Sequence, residues 1–236
     1  MSDPVAMSLH LRPTAAIAAD ALLPGDPGRA LALAQALLTE PRMSNHHRGL
    51  WGYTGVTEQG LELTIQSTGL GGPSAAIVLA ELAGHGVRRA IRLGTCTALP
   101  GGPPPGTGVL AEAALAVEGS SRALAPGGVA RPDPGLHAAL RAAAGDRLSI
   151  EATVASVDVV SPAPGLEPAG DGGLDGARAV EMSTATLFAL GPRLGVAVAS
   201  ALVVADSRPG SDPLADPELE RASAELAGAA ARALAR

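Results

Sequence analysis

Ala15-Ala16-Ile17-Ala18-Ala19-Asp20-Ala21-Leu22-Leu23 runs without a break into Pro24-Gly25-Asp26-Pro27, and the periodic stretch Arg29 to Leu38 follows. A small apolar run stopped by two prolines and a glycine reads as a strand ending in a turn, and the 3.6-residue periodicity after it reads as a helix. Strand, turn, helix is the repeating unit of an α/β fold, and working outward from this unit the same grammar recurs.

The segment Gly49 to Thr57 passes through Gly60-Leu61 into Leu63-Thr64-Ile65-Gln66-Ser67, two β-rich runs around a glycine turn that predict a hairpin. Gly69-Leu70-Gly71-Gly72-Pro73-Ser74 then precedes an apolar-periodic helix from Ala75 to Leu82, and Arg89 to Leu93 is a brief strand. Pro100 to Gly106 is too rich in breakers for regular structure and predicts a loop before the strand Gly108 to Leu110. Leu136 to Ala144 reads as a helix, Ile150 to Val160 as a strand, Pro162 to Gly176 as a loop and Val180 to Leu190 as a helix. Val196 to Val204 is a nearly continuous apolar run, the pattern of a parallel strand covered on both faces, and it ends at Ala205-Asp206-Ser207. Glu218 to Arg236 closes the chain as an Ala-rich helix, with Asp216 as its expected N-cap and Pro217 in its first turn. There is no internal repeat, and residues 1–236 read as one domain.

Composition narrows the partners. The 236 residues are 47% hydrophobic, which suffices for one sizeable core, but only 1% aromatic, so that core is built from Ala, Val, Leu and Ile. All seventeen basic residues are Arg, dispersed in a chain of net charge -6, and a nucleic acid is not an expected partner. The single Cys96 excludes an intrachain disulfide, Met1 to Ser8 lacks the pattern of a signal peptide, and no stretch approaches the length of a membrane span. A cytoplasmic, soluble protein is the expectation.

In open α/β sheets ligands gather where strands end and helices begin, and the chemistry-bearing residues fall there. Pro24-Gly25-Asp26-Pro27 with Arg29 places backbone N–H groups beside a guanidinium, and Arg92-Leu93-Gly94-Thr95 repeats the pair with a hydroxyl added. Both suit a phosphate-sized anion, because forked guanidinium contacts and helix-start amides are strong anion donors; an Arg that merely caps a carbonyl is the plain alternative. Asp206 ends an apolar strand, where lost solvation favours the neutral, proton-donating form of an acid, although an Asp before Ser also caps turns. Gly69-Leu70-Gly71 is not a dinucleotide fingerprint, since Ser74 stands in place of the third glycine, and a Walker A loop is impossible without Lys. His46-His47 has no Cys or carboxylate at metal spacing, so no metal is expected, and Cys96 reads as a buried small hydrophobe rather than a nucleophile.

Taken together, Leu23-Pro24-Gly25-Asp26-Pro27 with Arg29, Arg48-Gly49 before Gly52-Tyr53-Thr54-Gly55, Gly69-Leu70-Gly71 with Pro73-Ser74, Arg92-Leu93-Gly94-Thr95 and Val180-Glu181-Met182 resemble the purine nucleoside and uridine phosphorylase family in order and spacing. The resemblance implies a mixed central β-sheet flanked by helices in a single domain. It also implies a phosphate held by Gly25, Arg29, Arg92, Gly94 and Thr95, with Arg48 reaching a neighbouring subunit's site. His10 would meet a neighbour's sugar, while Val180, Glu181, Met182 and Ser183 would lie along the sugar and base. Asp206 matches the family's proton donor to a purine ring nitrogen. The partners implied are a nucleoside and inorganic phosphate, the latter as co-substrate with no cofactor, and other copies of the chain in a hexamer built from dimers.

The sequence departs from the family pattern at Ser183, where a second carboxylate usually receives both ribose hydroxyls, at Ala205, at Thr97 and at the missing aromatic near Val159-Val160. Pro162 to Gly176 also lacks the Gln and Arg with which uridine-type members grip a pyrimidine. Phosphorolysis of a purine nucleoside, by a pentosyltransferase, is therefore the leading expectation. A hydrolytic nucleosidase and a family member that binds phosphate or a nucleotide without turnover stand as alternatives.

Overall fold

A computed structural model describes residues 8–145, 149–160, 173–207 and 213–236. In chain order the elements are β1 (Asp20–Pro24), α1 (Pro27–Leu37), β2 (Thr39–Asn45), a single 3-10 turn (His47–Gly49), β3 (Gly52–Val56), β4 (Glu62–Gln66), α2 (Gly71–Gly84), β5 (Arg89–Ala98) and β6 (Gly108–Ala116). Then come α3 (Gly119–Leu124), β7 (Val129–Ala130), α4 (Pro134–Ala144), β8 (Ser149–Ser156), β9 (Ala179–Glu181), α5 (Thr184–Leu194), β10 (Ala197–Ser207) and α6 (Asp216–Leu234).

The strands form one mixed sheet. β1 lies between β4 and β5, parallel to both, and β4, β3 and β2 continue outward by antiparallel pairing. On the other side β5 pairs in parallel with β10 along ten residues and, at its end, antiparallel with β9. Since β10 also pairs with β6, β6 with β8 and β8 with β9, these five strands close into a ring.

Period-two alternation sorts the strand residues onto two cores. Ala21 and Leu23 of β1, Ala90 of β5 and Val198, Leu202 and Val204 of β10 pack with α2 and α5, around the fully buried Leu79, Leu82, Leu187 and Phe188. Leu22, Ile91, Leu93, Ala199, Ala201 and Val203 face the other way, against α1, α4 and α6. The expected covering of the last strand on both faces, the β3–β4 hairpin and the mixed sheet between helices are all present.

Several boundaries differ from the sequence reading. β5 runs on through Gly94 to Ala98, because the pairing with β10 continues across a glycine that the sequence suggests as a break. Val180 and Glu181, expected in a helix, belong to the strand β9; α5 begins only at Thr184, after Ser183 with ψ −12 and φ −153. Competition between pairing and local pattern is settled here by neighbours, since β9 is held by both β5 and β8. The N-cap of α6 is Ala215, with Asp216 already inside the helix. Most of the expected loop Pro162 to Gly176 lies outside the described residues.

The chain before β1 is fastened by one side chain. Glu81, on the last turns of α2, accepts the backbone N–H groups of Leu9, His10 and Leu11 and the hydroxyl of Ser8, and its Oε1 lies 2.7 Å from Nδ1 of His10. Burial alone would raise the Glu81 carboxyl, but these donors outweigh it and hold the group at about 2, below its ordinary 4.5. A folded-state value below the unfolded one gives stability that is complete above the unfolded value and lost as the pH falls toward 2. Amide-exchange protection at Leu9, His10 and Leu11 should therefore fall away between pH 4.5 and 2, and a Glu81→Gln variant should show weaker protection with no such pH dependence.

Candidate active site

A cavity of about 530 Å³ opens at the carboxyl ends of β1, β5, β9 and β10. Its walls carry Gly25, Asp26, Pro27 and Arg29 from the β1–α1 turn, Gly69 to Gly71 from the start of α2, Arg92 and Gly94 to Thr97 from β5, Val180 to Met182, Val160, and Ala205 and Asp206 of β10. Nine of the residues singled out in the sequence thus line one cavity: Gly25, Arg29, Arg92, Gly94, Thr95, Val180, Glu181, Met182 and Asp206.

The two guanidiniums dominate the electrostatics. Arg92 is 8% exposed; its Nη1 donates to the carbonyls of Leu23 (3.2 Å) and Leu93 (3.4 Å), and its Nε is buried without a hydrogen-bond partner among the described residues. Burial pulls its pKa down, the Glu181 carboxylate pulls the other way, and the nearby cation of Arg29 lowers it further. Arg29 is likewise lowered by burial, with Asp26 and Glu220 opposing. Among the described residues no carboxylate pairs with either. Two neighbouring guanidiniums, one buried and one partly buried, with no carboxylate paired to either among the described residues, form an arrangement that an oxyanion between them would relieve.

Glycine makes room for this arrangement. A Cβ on Gly25 would stand 3.2 Å from Nη1 of Arg92, and one on Gly94 would stand 3.0 Å from its Nη2 and 2.9 Å from Cδ2 of Leu202. The loop is also pinned, since Thr68 and Gly69 donate their N–H groups to the carbonyls of Pro24 and Gly25. Asp26 spends its side chain on capping α1, accepting the N–H of Arg29 at 2.7 Å, which fixes where the Arg29 backbone starts.

In the same cavity, Asp206 owes its position to an irregularity. Val204 pairs with Cys96, yet Asp206 pairs with Thr97, so Ala205 is an extra residue bulged out of β10. One extra residue reverses the alternation, and it moves Asp206 from the side of Val204 and Cys96 to the side of Thr97. Its Oδ1 is buried with no hydrogen-bond partner among the described residues. Cys96 is buried, its Sγ 3.7 Å from the carbonyl of Val203, and burial together with the carboxylates of Glu181 and Asp206 pushes its thiol up, away from nucleophilic use.

Glu181 is only 2% exposed and is committed to structure. Its carboxylate accepts the N–H groups of Ser183 (2.9 Å) and Thr184 (2.8 Å) and the hydroxyl of Ser156, capping the start of α5. Ser183 lies behind it, 1% exposed and off the cavity wall, with its hydroxyl 3.5 Å from Glu181 Oε2. His10 and Arg48 are not on the wall either. His10 is engaged with Glu81, and Arg48 is exposed on the 3-10 turn at φ 58, where the buried amides of Asn45 and Gln66 hold the carbonyl of Leu50. Among the described residues no three His, Cys, Asp or Glu side chains gather as metal ligands, and no helix is long and apolar enough to cross a membrane.

Sequence reasoning passed over Glu81 and treated Thr97 only as a departure from a pattern. The signals were present: Glu81 is a lone acid within an apolar helix, and Thr97 belongs to a strand expected to end five residues earlier, at Leu93.

The carboxyl ends of these strands thus bring two guanidiniums and a carboxylate oxygen that has no hydrogen-bond partner among the described residues to one cavity of small-molecule size. The chain belongs to the phosphorylase superfamily, whose family model matches residues 20–236. It is 33% identical over 214 residues to a DeoD-type purine nucleoside phosphorylase of Bacillus cereus (strain ATCC 14579), covering 85% of this chain and 87% of that one. The same figures hold for the DeoD-type purine nucleoside phosphorylase of Bacillus thuringiensis (strain Al Hakam). To that of Oceanobacillus iheyensis it is 44% identical over 95 residues, 39% of this chain and 40% of the other.

Gly94→Ala should displace the Arg92 fork without removing its charge. Charge-assisted hydrogen bonds contribute ~1.5–3 kcal/mol, so phosphate affinity should fall by roughly tenfold or more, read by titration calorimetry with inorganic phosphate while circular dichroism stays native.

Proposed function

We propose that this protein cleaves the N-glycosidic bond of a purine nucleoside by phosphorolysis, giving the free base and a sugar 1-phosphate. The observation that supports this reading most is that the partly buried guanidinium of Arg29 and the buried one of Arg92, neither paired with a carboxylate among the described residues, line the same cavity as the Oδ1 of Asp206, which has no hydrogen-bond partner among the described residues. A phosphate needs the first and a departing base needs the second. The relatives named as purine nucleoside phosphorylases support the same assignment.

In this reading phosphate is held by the Gly25 backbone, Arg29, Arg92, Gly94 and Thr95, below a sugar that lies along Val180, Glu181 and Met182, with Ser183 buried behind them rather than in contact with it. As the glycosidic bond breaks, its electron pair passes to the base, positive charge develops on the sugar, and a phosphate oxygen forms the new bond at the anomeric carbon. Asp206 gives a proton to the purine ring nitrogen, so that the base leaves neutral. Arg48 and His10 complete the site of a neighbouring copy in a hexamer of dimers, which accounts for an exposed Arg at a left-handed backbone position. Inorganic phosphate is the co-substrate, no cofactor takes part, and the enzyme is a single domain working in the cytoplasm.

Arg92→Ala should remove phosphate-dependent base release while leaving the thermal unfolding curve cooperative; unchanged activity and phosphate dependence would remove Arg92 from the site. Asp206→Asn should lower purine release by about 10²–10⁴-fold, the usual range for a lost proton donor, and far less for a nucleoside whose leaving group needs no proton. Base release without phosphate would instead identify a hydrolase, and phosphate binding without release from any nucleoside would identify a binding protein.

A further inference from the structure

The row of residues across the cavity floor points to how the base is read. Val180 of β9, Thr97 of β5 and Asp206 of β10 are lateral partners in three adjacent strands, Thr97 standing between the other two. All three line the cavity. Laterally paired residues project to the same side of a sheet with about 4.8 Å between strands, so the row presents an apolar group, a hydroxyl and a carboxylate in line. The carboxylate joins this row only through the bulge at Ala205. Thr97 is 8% exposed, and no protein group bonds its hydroxyl among the described residues.

A purine offers a matching edge. Its N7 and the substituent on C6 lie side by side, the substituent being an acceptor in 6-oxopurines and a donor in 6-aminopurines. A threonine hydroxyl both donates and accepts, so it meets either substituent, while its methyl and that of Val180 exclude water from the same edge. We propose that Thr97 is a specificity-determining residue that hydrogen-bonds the 6-substituent of a purine whose N7 faces Asp206. This rests on the purine phosphorolysis proposed above and adds the residue that selects a 6-substituted base.

The test compares three purine ribonucleosides, 6-oxo, 6-amino and 6-unsubstituted, with saturating phosphate, in the wild type and in Thr97→Val and Thr97→Ser. The readout is the ratio of kcat/KM for each substituted nucleoside to that for the unsubstituted one, in which leaving-group differences cancel between variants. Thr97→Val should lower both ratios by about fivefold to tenfold, the loss of one hydrogen bond, and Thr97→Ser should keep them near the wild-type values. Ratios unchanged in Thr97→Val, or equally depressed in Thr97→Ser, would overturn the role of the hydroxyl. If Thr97→Val does not fold, Thr97→Ala takes its place, with the same loss of about fivefold to tenfold expected and unchanged ratios overturning the role of the hydroxyl. Absence of base release by the wild type from all three nucleosides would instead sink the phosphorolysis reading, and this inference with it.

Discussion

Burying the Arg92 guanidinium is the constraint around which the site is arranged. A cation removed from water must be given hydrogen-bond acceptors and, where no carboxylate is supplied, it keeps an affinity for an anion. Arg92 receives two backbone carbonyls, of Leu23 and Leu93, and the distant attraction of a Glu181 occupied elsewhere. Gly25 and Gly94 leave the volume that its fork fills, and the tie between the β1–α1 turn and the start of α2 keeps that volume open. In the proposed role, an oxyanion bound there would supply the interaction that the buried guanidinium does not receive from a carboxylate among the described residues.

The carboxylates divide the remaining work by their surroundings. Glu118 is fully buried, accepting N–H groups at the start of α3 and the hydroxyl of Thr186 in α5. Glu181 does the same for the start of α5, and Glu81 fastens the chain ahead of β1. Each satisfies backbone donors that a helix start or an extended segment leaves over. Asp206 differs from all three in having an oxygen with nothing to receive from among the described residues, and that difference, rather than its charge, marks it for chemistry.

Much of this was legible in the sequence where a single physical rule decides. The strand, turn and helix around Pro24 to Arg29, the hairpin at Gly60 and the apolar strand ending at Asp206 follow from breakers and periodicity, and the structure has them. The rule failed where two preferences compete. Gly94 signals a break, but the long pairing with β10 carries β5 through it, and Val180-Glu181 fits a helical pattern until β5 and β8 claim it as a strand. The bulge at Ala205 and the closure of the strand ring leave no local signature, because both arise from register between segments more than eighty residues apart or on partners chosen by topology. The side of the sheet on which Asp206 emerges was therefore beyond the reach of pattern alone, whereas its place at a strand end was not.

Closing five strands into a ring also leaves β2 as a long lateral edge of the sheet, and such an edge is a template for uncontrolled stacking of one molecule on another. The first five residues of β2, Thr39 to Met43, are all solvent-exposed. Glu40 takes a left-handed backbone at φ 48, Pro41 lacks the N–H that an incoming strand would need, and Arg42 adds charge. The pairing with β3 skips from Thr39 to Arg42 at the same point. The segment that looks least regular in the sheet thus works as a guard against amyloid-like self-addition, and smoothing it into an ideal strand would favour aggregation over solubility.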